Sequence, residues 1–309
     1  MTRLSRTVLQ LAMTAAVTAT MVGCGDDELT DPNIAGGDIR GSVNSEGLDR
    51  TFILHIPPGN DPDAPSPLII VFHGNTMTGA GMQDLTEFRR FTDEHGFMVI
   101  YPDGIDGGWS IGCDCTTADH LGISDVKLIE ALLANVPSSF AIDLDRVYMA
   151  GFSLGGTFAQ VAGCELGGRI AAVASVGSSL PTRLQDDCQL QAPLPILYML
   201  GTEDPLLPYS DGTANFLSAP ATLAHWASFN GCQGDPEEVT EPDLDPDDLT
   251  RVRFERFSDC AGGSEATLYT VEGGGHTWPK GQRPLGLDLG VVSQDVWASE
   301  VITEFFLRH

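Results

Sequence analysis

Basic residues are scarce in this chain of 309 residues, which has 16 Lys and Arg against 43 Asp and Glu and a formal net charge of −27. Phosphate backbones and anionic membrane surfaces repel such a protein, so the charge argues against both as partners. The sequence also lacks a Gly-x-Gly-x-x-Gly segment after an early strand, and it shows no other nucleotide or flavin motif. We therefore predict that no cofactor is bound.

Two segments have the residue types of a metal site without the spacing. The acidic, proline-broken segment 236–248 lacks the glycine and the terminal glutamate of an EF-hand, so we predict a solvated surface loop. Cys113 and Cys115 have C-x-C spacing, but no second C-x-C or histidine pair completes a zinc site, and only His120 is near. No metal is predicted.

Long hydrophobic runs are missing except near the N-terminus. Residues 8–22 are apolar and uncharged, follow Arg3 and Arg6, and are too few to span a bilayer, which is typical of a signal peptide. The run ends at Gly23-Cys24. This resembles the lipobox of bacterial lipoproteins, in which the cysteine is lipidated. The alternative is ordinary secretion in which Cys24 has no such role. We predict a signal peptide over 1–23, a flexible tether over 24–40, and an extracytoplasmic protein that touches membrane only through a lipid anchor at Cys24.

The remaining cysteines are even in number, which in an exported chain predicts disulfides. They are Cys113, Cys115, Cys164, Cys188, Cys232 and Cys260. Six cysteines allow about fifteen pairings, so the sequence alone does not fix the connectivity. Nearest-neighbour pairing joins Cys164 to Cys188 and Cys232 to Cys260, and leaves Cys113 and Cys115 to pair locally or to stay reduced.

Strand and helix patterns alternate along the rest of the chain. Predicted strands cover residues 51–56, 67–72, 97–101, 146–151, 170–176, 195–200 and 267–271, and predicted helices cover 82–94, 124–134 and 293–307. Such alternation predicts an α/β protein in which a mostly parallel sheet is covered by helices on both faces. We predict one domain over residues 41–309.

The most informative motif is the G-x-S-x-G box at Gly151-Phe152-Ser153-Leu154-Gly155. A β-prone segment precedes it and a helical pattern follows it. A serine on a tight strand-to-helix turn presents its hydroxyl above the sheet, and the flanking glycines let the backbone turn without a Cβ clash. Ser153 is therefore the candidate nucleophile.

A serine nucleophile needs a base, and the base needs an orienting acid. Catalytic groups of doubly wound sheets collect after strand ends, where the sequence places Asp204 in a Gly-Thr-Glu-Asp-Pro turn, with Glu203 as the competing carboxylate. His276 follows three glycines, which we expect to form a mobile loop, and His225 and His309 are less suitable bases. The order Ser153, Asp204, His276 is that of α/β-hydrolases.

The remaining candidates surround the serine. The backbone N–H of Leu154, at the helix start, is one predicted oxyanion donor, and that of Asn75 or Thr76, in the loop after an early strand, is the second. We interpret His73 as a structural residue of that loop. Trp109 and Trp278 are predicted to line the acyl pocket, with burial in the core as the alternative for each.

These motifs together resemble a known family. His73-Gly74, Gly107-Gly108-Trp109, Ser124-Asp125-Val126, the Ser153 box, the Asp204 turn and Gly273-Gly274-Gly275-His276-Thr277-Trp278-Pro279 follow one another as in secreted polyhydroxybutyrate depolymerase-like, feruloyl and acetylxylan esterases. The resemblance covers about residues 41–309 and implies an α/β-hydrolase fold with Ser153, Asp204 and His276 as the catalytic triad. It also implies that Cys164, Cys188, Cys232 and Cys260 are disulfide cysteines.

The resemblance implies a serine carboxylic-ester hydrolase whose partner is an ester substrate, and a polymeric ester is one of the alternatives. Polyhydroxyalkanoate chains and feruloylated or acetylated plant cell-wall polysaccharides remain open as substrates. A peptidase or thioesterase with the same triad is an alternative within the hydrolases. A lipid-anchored binding protein that has lost catalysis is the alternative from another class, although all three triad residue types are present.

Overall fold

A computed structural model describes residues 36–188, 190–282 and 288–309. The predicted signal peptide, Cys24 and residues 24–35 of the predicted tether lie outside the described residues. Within these ranges no helix has the length and apolar character needed to cross a bilayer.

A ten-stranded sheet runs through the molecule, with the strand order β1-β2-β4-β3-β5-β6-β7-β10-β9-β8. The strands are β1 (Gly37–Ser45), β2 (Leu48–Ile56), β3 (Ser66–Phe72), β4 (Met98–Pro102), β5 (Ile142–Phe152), β6 (Ala172–Val176), β7 (Ile196–Gly201), β8 (Glu237–Thr240), β9 (Arg251–Phe257) and β10 (Ala266–Glu272). The six central strands from β4 to β10 pair in parallel, whereas β1, β2, β8 and β9 add antiparallel edges. The predicted α/β class and mostly parallel sheet are confirmed.

Helices cover both faces of the sheet. They are α1 (Gly79–Thr86), α2 (Arg89–Thr92), α3 (Thr117–Leu121), α4 (Asp125–Asn135), α5 (Leu154–Leu166), α6 (Leu184–Asp187), α7 (Ala219–Phe229) and α8 (Ala298–Leu307). The buried side chains of α4, α5 and α7 belong to one apolar core, and those of α1 and α8 belong to the other.

Strand β3 shows why the sequence folds into this layered arrangement. Its Leu68, Ile70 and Phe72 side chains enter one core, and Ile69 and Val71 enter the other, because successive side chains of a strand point to opposite faces. Every residue of β3 is buried. A continuous apolar run is therefore required at this position, as in parallel strands covered by helices on both faces.

The structure corrects several predicted boundaries. The predicted helix over 82–94 is broken at Glu87, whose φ of 48° ends α1. The strand β1 begins at Gly37, inside the predicted tether, and pairs along its length with β2. The predicted final helix begins at Ala298 rather than 293, because the Ser293 carbonyl accepts from Lys280 N–H and Gln294 N–H donates to Asp248 outside any helix.

The acidic segment 236–248 is only partly the loop that the composition predicts. Residues Glu237–Thr240 form β8, which pairs with β9 at the edge of the sheet. Farther along, the Asp295 carboxylate accepts the N–H of Leu244, which ties the rest of the segment to the domain. The exposed carboxylates on this edge strand disfavour pairing with another chain.

All six described cysteines form disulfides. Cys164 bonds Cys188 and Cys232 bonds Cys260, as nearest-neighbour pairing predicts, and Cys113 bonds Cys115. Cys113, Cys115 and Asp119 are the one group of metal-ligating residues found close together in the described ranges. Because both sulfurs are in a disulfide, they offer no thiolate to a metal ion.

The end of α8 is tied to the sheet through Glu265. Burial raises the pKa of this carboxyl, but its interactions with His309 and Arg308 outweigh burial and lower the pKa from 4.5 to about 2. The Arg308 Nη2 atom lies 2.8 Å from Glu265 Oε1. The ionised carboxylate therefore stabilises the fold above pH 4.5, and this contribution is lost as the pH falls toward 2.

Replacing Glu265 by glutamine should lower the free energy of unfolding near pH 7 by about 1.5–3 kcal/mol, the typical contribution of a hydrogen bond to a charged group. The difference from the parent protein should shrink between pH 4.5 and pH 2, because the parent carboxyl is then protonated as well. Urea unfolding at pH 7, 4 and 2.5 measures this, with the exposed Glu165→Gln as the matched control. A difference that stays constant with pH contradicts the assignment.

Candidate active site

Ser153 lies on the turn between β5 and α5, with φ 54° and ψ −121°. Positive φ is unfavourable for a residue with a Cβ, so the surrounding structure must hold this conformation. The Ser153 N–H donates to the Val176 carbonyl of β6 at 2.9 Å, and its own carbonyl accepts from Thr157 N–H at 3.0 Å in the first turn of α5. The serine is thus fixed between one strand and one helix.

The glycines of the box are required by close backbone contacts. A Cβ at Gly151 would lie 2.2 Å from the Gly155 carbonyl oxygen, and a Cβ at Gly155 would lie 2.3 Å from the Phe72 carbonyl oxygen. Neither neighbour is a flexible side chain, so no residue larger than glycine fits unless α5 moves away from β3 and β5. The motif therefore brings the N-terminus of α5 directly against the two central strands.

The structure brings Ser153, His276 and Asp204 into one hydrogen-bonded chain. His276 Nε2 lies 2.8 Å from Ser153 Oγ, and His276 Nδ1 lies 2.6 Å from Asp204 Oδ2. The side chains of His276 and Asp204 are buried. An Asp on Nδ1 leaves Nε2 free to take the serine proton, which is the geometry of a serine nucleophile with its base.

Asp204, and not the neighbouring Glu203, contacts the histidine. Its second oxygen, Oδ1, accepts the backbone N–H groups of Leu206 at 2.7 Å and Leu207 at 2.8 Å, so the carboxylate has a fixed orientation in its turn. Glu203 is exposed to solvent. The carboxylate therefore has one oxygen for the base and one for its own loop.

The glycine-rich loop before His276 is held in place, contrary to the prediction of a mobile loop. Gly275 N–H donates to the Val291 carbonyl, and His276 N–H donates to the Leu289 carbonyl at 2.7 Å. A Cβ at Gly275 would lie 2.1 Å from the Leu289 carbonyl oxygen. The glycine here permits close packing of two backbones, which fixes the imidazole rather than freeing it.

His73 is buried and bonded at both ring nitrogens, in agreement with its interpretation as a structural residue. Nδ1–H donates to the Gly74 carbonyl at 2.8 Å, and Nε2 accepts the Gly104 N–H at 2.9 Å. Burial lowers the pKa of His73, which favours this neutral form. The ring thereby links the loop after β3 to the loop after β4.

The two oxyanion candidates in the loop after β3 differ in what their N–H groups bond. The Thr76 N–H donates to the Gly107 carbonyl at 2.8 Å, so it is not available to a substrate, and the prediction is wrong for Thr76. Its φ of 63° turns this N–H toward the neighbouring loop. The Asn75 N–H has no acceptor among the described residues. Leu154, in the first turn of α5, likewise has an N–H without an intrahelical acceptor, so Asn75 and Leu154 remain the candidates.

A cavity of about 210 Å³ opens beside Ser153 and His276. Its other lining residues are Gly74, Asn75, Thr76, Met77, Phe152, Leu206 and Leu289. The sequence pattern gives no sign of Met77, Leu206 or Leu289 as pocket residues, because a single aliphatic side chain in a loop carries no recognisable motif.

Neither predicted pocket tryptophan lines this cavity. Trp109 is fully buried, its Nε1–H donates to the His73 carbonyl at 2.8 Å, and its ring stacks on Phe158. Trp278 is also buried, and its Nε1–H donates to Ser299 Oγ. Both indoles find their polar partner inside the domain, so burial in the core, the alternative reading, describes them.

The sheet, the strand-to-helix turn at Ser153 and the Ser–His–Asp hydrogen bonds define an α/β-hydrolase. The sequence model of the dienelactone hydrolase family matches residues 56–230. The chain belongs to this family.

Individual relatives fit that assignment. Feruloyl esterase B of Piromyces equi is 30% identical over 77% of this chain and 44% of its own length. The bifunctional acetylxylan esterase/xylanase XynS20E of Neocallimastix patriciarum is 28% identical over 58% of this chain and 26% of its own. The chain thus spans less than half the length of both relatives. The resemblance to feruloyl and acetylxylan esterases is confirmed.

A solved structure shows the same fold. The acetyl xylan esterase from Aspergillus awamori superposes with a TM-score of 0.59 at 15% identity, over 88% of this chain and 100% of that one. At this identity the likeness supports the α/β-hydrolase fold and nothing finer.

Replacing Gly155 by alanine should destabilise the protein by about 1–3 kcal/mol, because the added Cβ meets the backbone of β3. The displacement of α5 should also lower the activity at Ser153. Urea unfolding and ester hydrolysis measure the two effects. Gly168→Ala is the matched control, since a Cβ there has open space around it, and equal effects of the two variants would contradict the packing argument.

Proposed function

We propose that the protein is a carboxylic ester hydrolase that acts through an acyl-enzyme on Ser153. The observation that carries the proposal is the pair of hydrogen bonds from His276, one to Ser153 and one to Asp204. Membership of a hydrolase family and the match to two esterases support the same reaction.

In the proposed first half-reaction, His276 Nε2 takes the Ser153 proton while Oγ attacks the ester carbonyl carbon. The N–H groups of Asn75 and Leu154 hold the carbonyl oxygen as it becomes negative, and such donors are worth about 10²- to 10³-fold in rate. Asp204 stabilises the imidazolium that forms. His276 then gives its proton to the leaving alcohol as the tetrahedral intermediate collapses.

In the second half-reaction, His276 removes a proton from water, and the resulting hydroxide attacks the acyl carbon on Ser153. The same N–H groups hold the oxyanion again. Collapse returns the proton from His276 to Ser153 Oγ and releases the carboxylic acid. Every proton transfer uses the single nitrogen Nε2, whose partner atom lies 2.8 Å away in the resting enzyme.

The substrate is proposed as a polyhydroxyalkanoate-type ester or a plant cell-wall ester carrying feruloyl or acetyl groups, either on a polymer or on a small molecule. The names of the two esterase relatives support the cell-wall esters. A peptidase or thioesterase could use the same three residues. The completed hydrogen-bonded chain at Ser153 argues against the alternative of an inactive binding protein.

Replacing Ser153 by alanine should lower kcat for p-nitrophenyl acetate by about 10⁴-fold or more, because triad removal leaves only the contribution of binding and the oxyanion donors. A fluorophosphonate probe should label the parent protein and not this variant. The exposed Ser258→Ala is the matched control. Retained hydrolysis in Ser153→Ala, or a parent protein that the probe does not label, overturns the proposal.

We also propose that the protein works outside the cytoplasm and is held to the membrane by a lipid on Cys24. Three disulfides support a location in an oxidising compartment, such as the space outside the cytoplasm. The proposal of a lipid anchor rests on the Gly23-Cys24 sequence at the end of the apolar run.

When the full chain is expressed in a bacterium, it should fractionate with membranes and carry the added mass of a lipid. Cys24→Ser should be recovered without the lipid mass and away from the membrane fraction. Mass spectrometry of both fractions measures this. Parent protein found entirely free in the medium contradicts the anchor and supports ordinary secretion.

A further inference from the structure

We infer that Met77, Leu206 and Leu289 form an acyl-chain subsite, and that it selects short aliphatic acyl groups over both acetyl and feruloyl groups. The inference rests on the proposed ester hydrolysis at Ser153 and adds the class of acyl group. Among the substrates proposed above, it favours the aliphatic polyhydroxyalkanoate-type esters over the acetyl and feruloyl esters. The three side chains line the cavity beside Ser153 and His276. None of them takes part in the proposed proton transfers.

Each of the three residues is fixed by a backbone hydrogen bond to a segment that carries a catalytic group. Met77 N–H donates to Gly74 in the loop of the oxyanion donor Asn75. Leu206 N–H donates to the Asp204 carboxylate at 2.7 Å. The Leu289 carbonyl accepts the His276 N–H at 2.7 Å. The apolar surface therefore has a defined position relative to the nucleophile, the base and the oxyanion donor.

The side chains that line the cavity favour a hydrocarbon acyl chain. Besides the reacting residues Ser153 and His276, the loop residues Gly74, Asn75 and Thr76 line the cavity. The other lining side chains, those of Met77, Phe152, Leu206 and Leu289, are all apolar. Such a surface recognises methylene groups by burial, with a gain of about fourfold in binding for each methylene. An acetyl group has one methyl group to bury and gains least.

The cavity volume indicates how much of an acyl group the lining residues enclose. A cavity of about 150 Å³ holds one benzene molecule, and the cavity beside Ser153 is about 210 Å³. On that scale it holds about eight carbon atoms, whereas a feruloyl group has about 13 non-hydrogen atoms. An acyl chain of four to eight carbons fills the described cavity, and a feruloyl ring extends past Leu206.

The oxyanion loop contributes four lining residues and His276 one, which favours the acyl group over the alcohol as the occupant of the cavity. Residues 74–77, four consecutive residues of the oxyanion loop, form one of its walls. The carbonyl carbon that carries the acyl chain lies beside these donors, while the alcohol leaves with the proton from His276. Leu206 is 57% exposed, so it forms the rim over which a longer chain passes.

The test compares kcat/KM for p-nitrophenyl acetate, butyrate, hexanoate and ferulate, which share one alcohol. The parent protein should favour hexanoate over acetate by at least about tenfold, and hexanoate over ferulate. Leu206→Ala should lower the hexanoate-to-acetate ratio about fivefold, mainly through KM, because it removes binding made equally in the ground and transition states. Leu206→Met should retain the ratio, because it restores apolar surface. Leu144→Ala, an exposed leucine at the opposite end of β5, should leave it unchanged.

Three outcomes overturn the inference. One is a parent protein that hydrolyses the ferulate faster than the hexanoate. The second is a Leu206→Ala variant that slows acetate and hexanoate by the same factor. The third is a variant that alters the preference between ethyl acetate and hexyl acetate but not the acyl series, which would assign Leu206 to the alcohol side. Failure of the proposed function is distinguished by Ser153→Ala, because hydrolysis that survives in that variant does not arise at this site.

Discussion

The direct contact between the first turn of α5 and the backbones of β3 and β5 is the constraint on which the site depends. Gly151 and Gly155 leave no space for a Cβ, so the helix begins against the sheet and Ser153 is held at positive φ. The same contact fixes the position of the Leu154 N–H in the first turn of α5, directly after Ser153. The other site residues come from loops after β3, β7 and β10, and the parallel pairing of the strands between them sets their distance from Ser153.

The site residues that the sequence predicts best are those that follow the carboxyl end of a strand. Ser153, Asp204 and His276 are separated widely along the chain, but each follows an apolar strand, and parallel strands bring their carboxyl ends to one edge of the sheet. The structure places these three side chains in hydrogen-bonding contact. The sequence does not distinguish Asn75 from Thr76 as the second oxyanion donor. The distinction depends on the positive φ of Thr76 and on an acceptor at Gly107, and neither leaves a mark in the local sequence.

Predictions fail where a residue's role is set by partners far away in the chain. Trp109 and Trp278 are aromatic residues of the kind that often line pockets, but each indole N–H donates a hydrogen bond to an acceptor inside the domain. The loop before His276 is rich in glycine, as a mobile loop would be, yet the glycine at 275 serves contact with the Leu289 backbone. Strand β8 is not predicted from the acidic segment, because a strand at the exposed edge of a sheet needs no apolar face and so leaves no hydrophobic pattern.

Leu206 is joined to the catalytic carboxylate only through its main chain. Any residue except proline supplies that N–H, so the side chain at this position is free to vary while Asp204 keeps its orientation. The same is true of Leu289, whose carbonyl and not its side chain bonds the His276 backbone. The cavity lining and the orientation of Asp204 and His276 therefore depend on different parts of these two residues. A single substitution at either position can change the shape of the cavity without a compensating change in the triad.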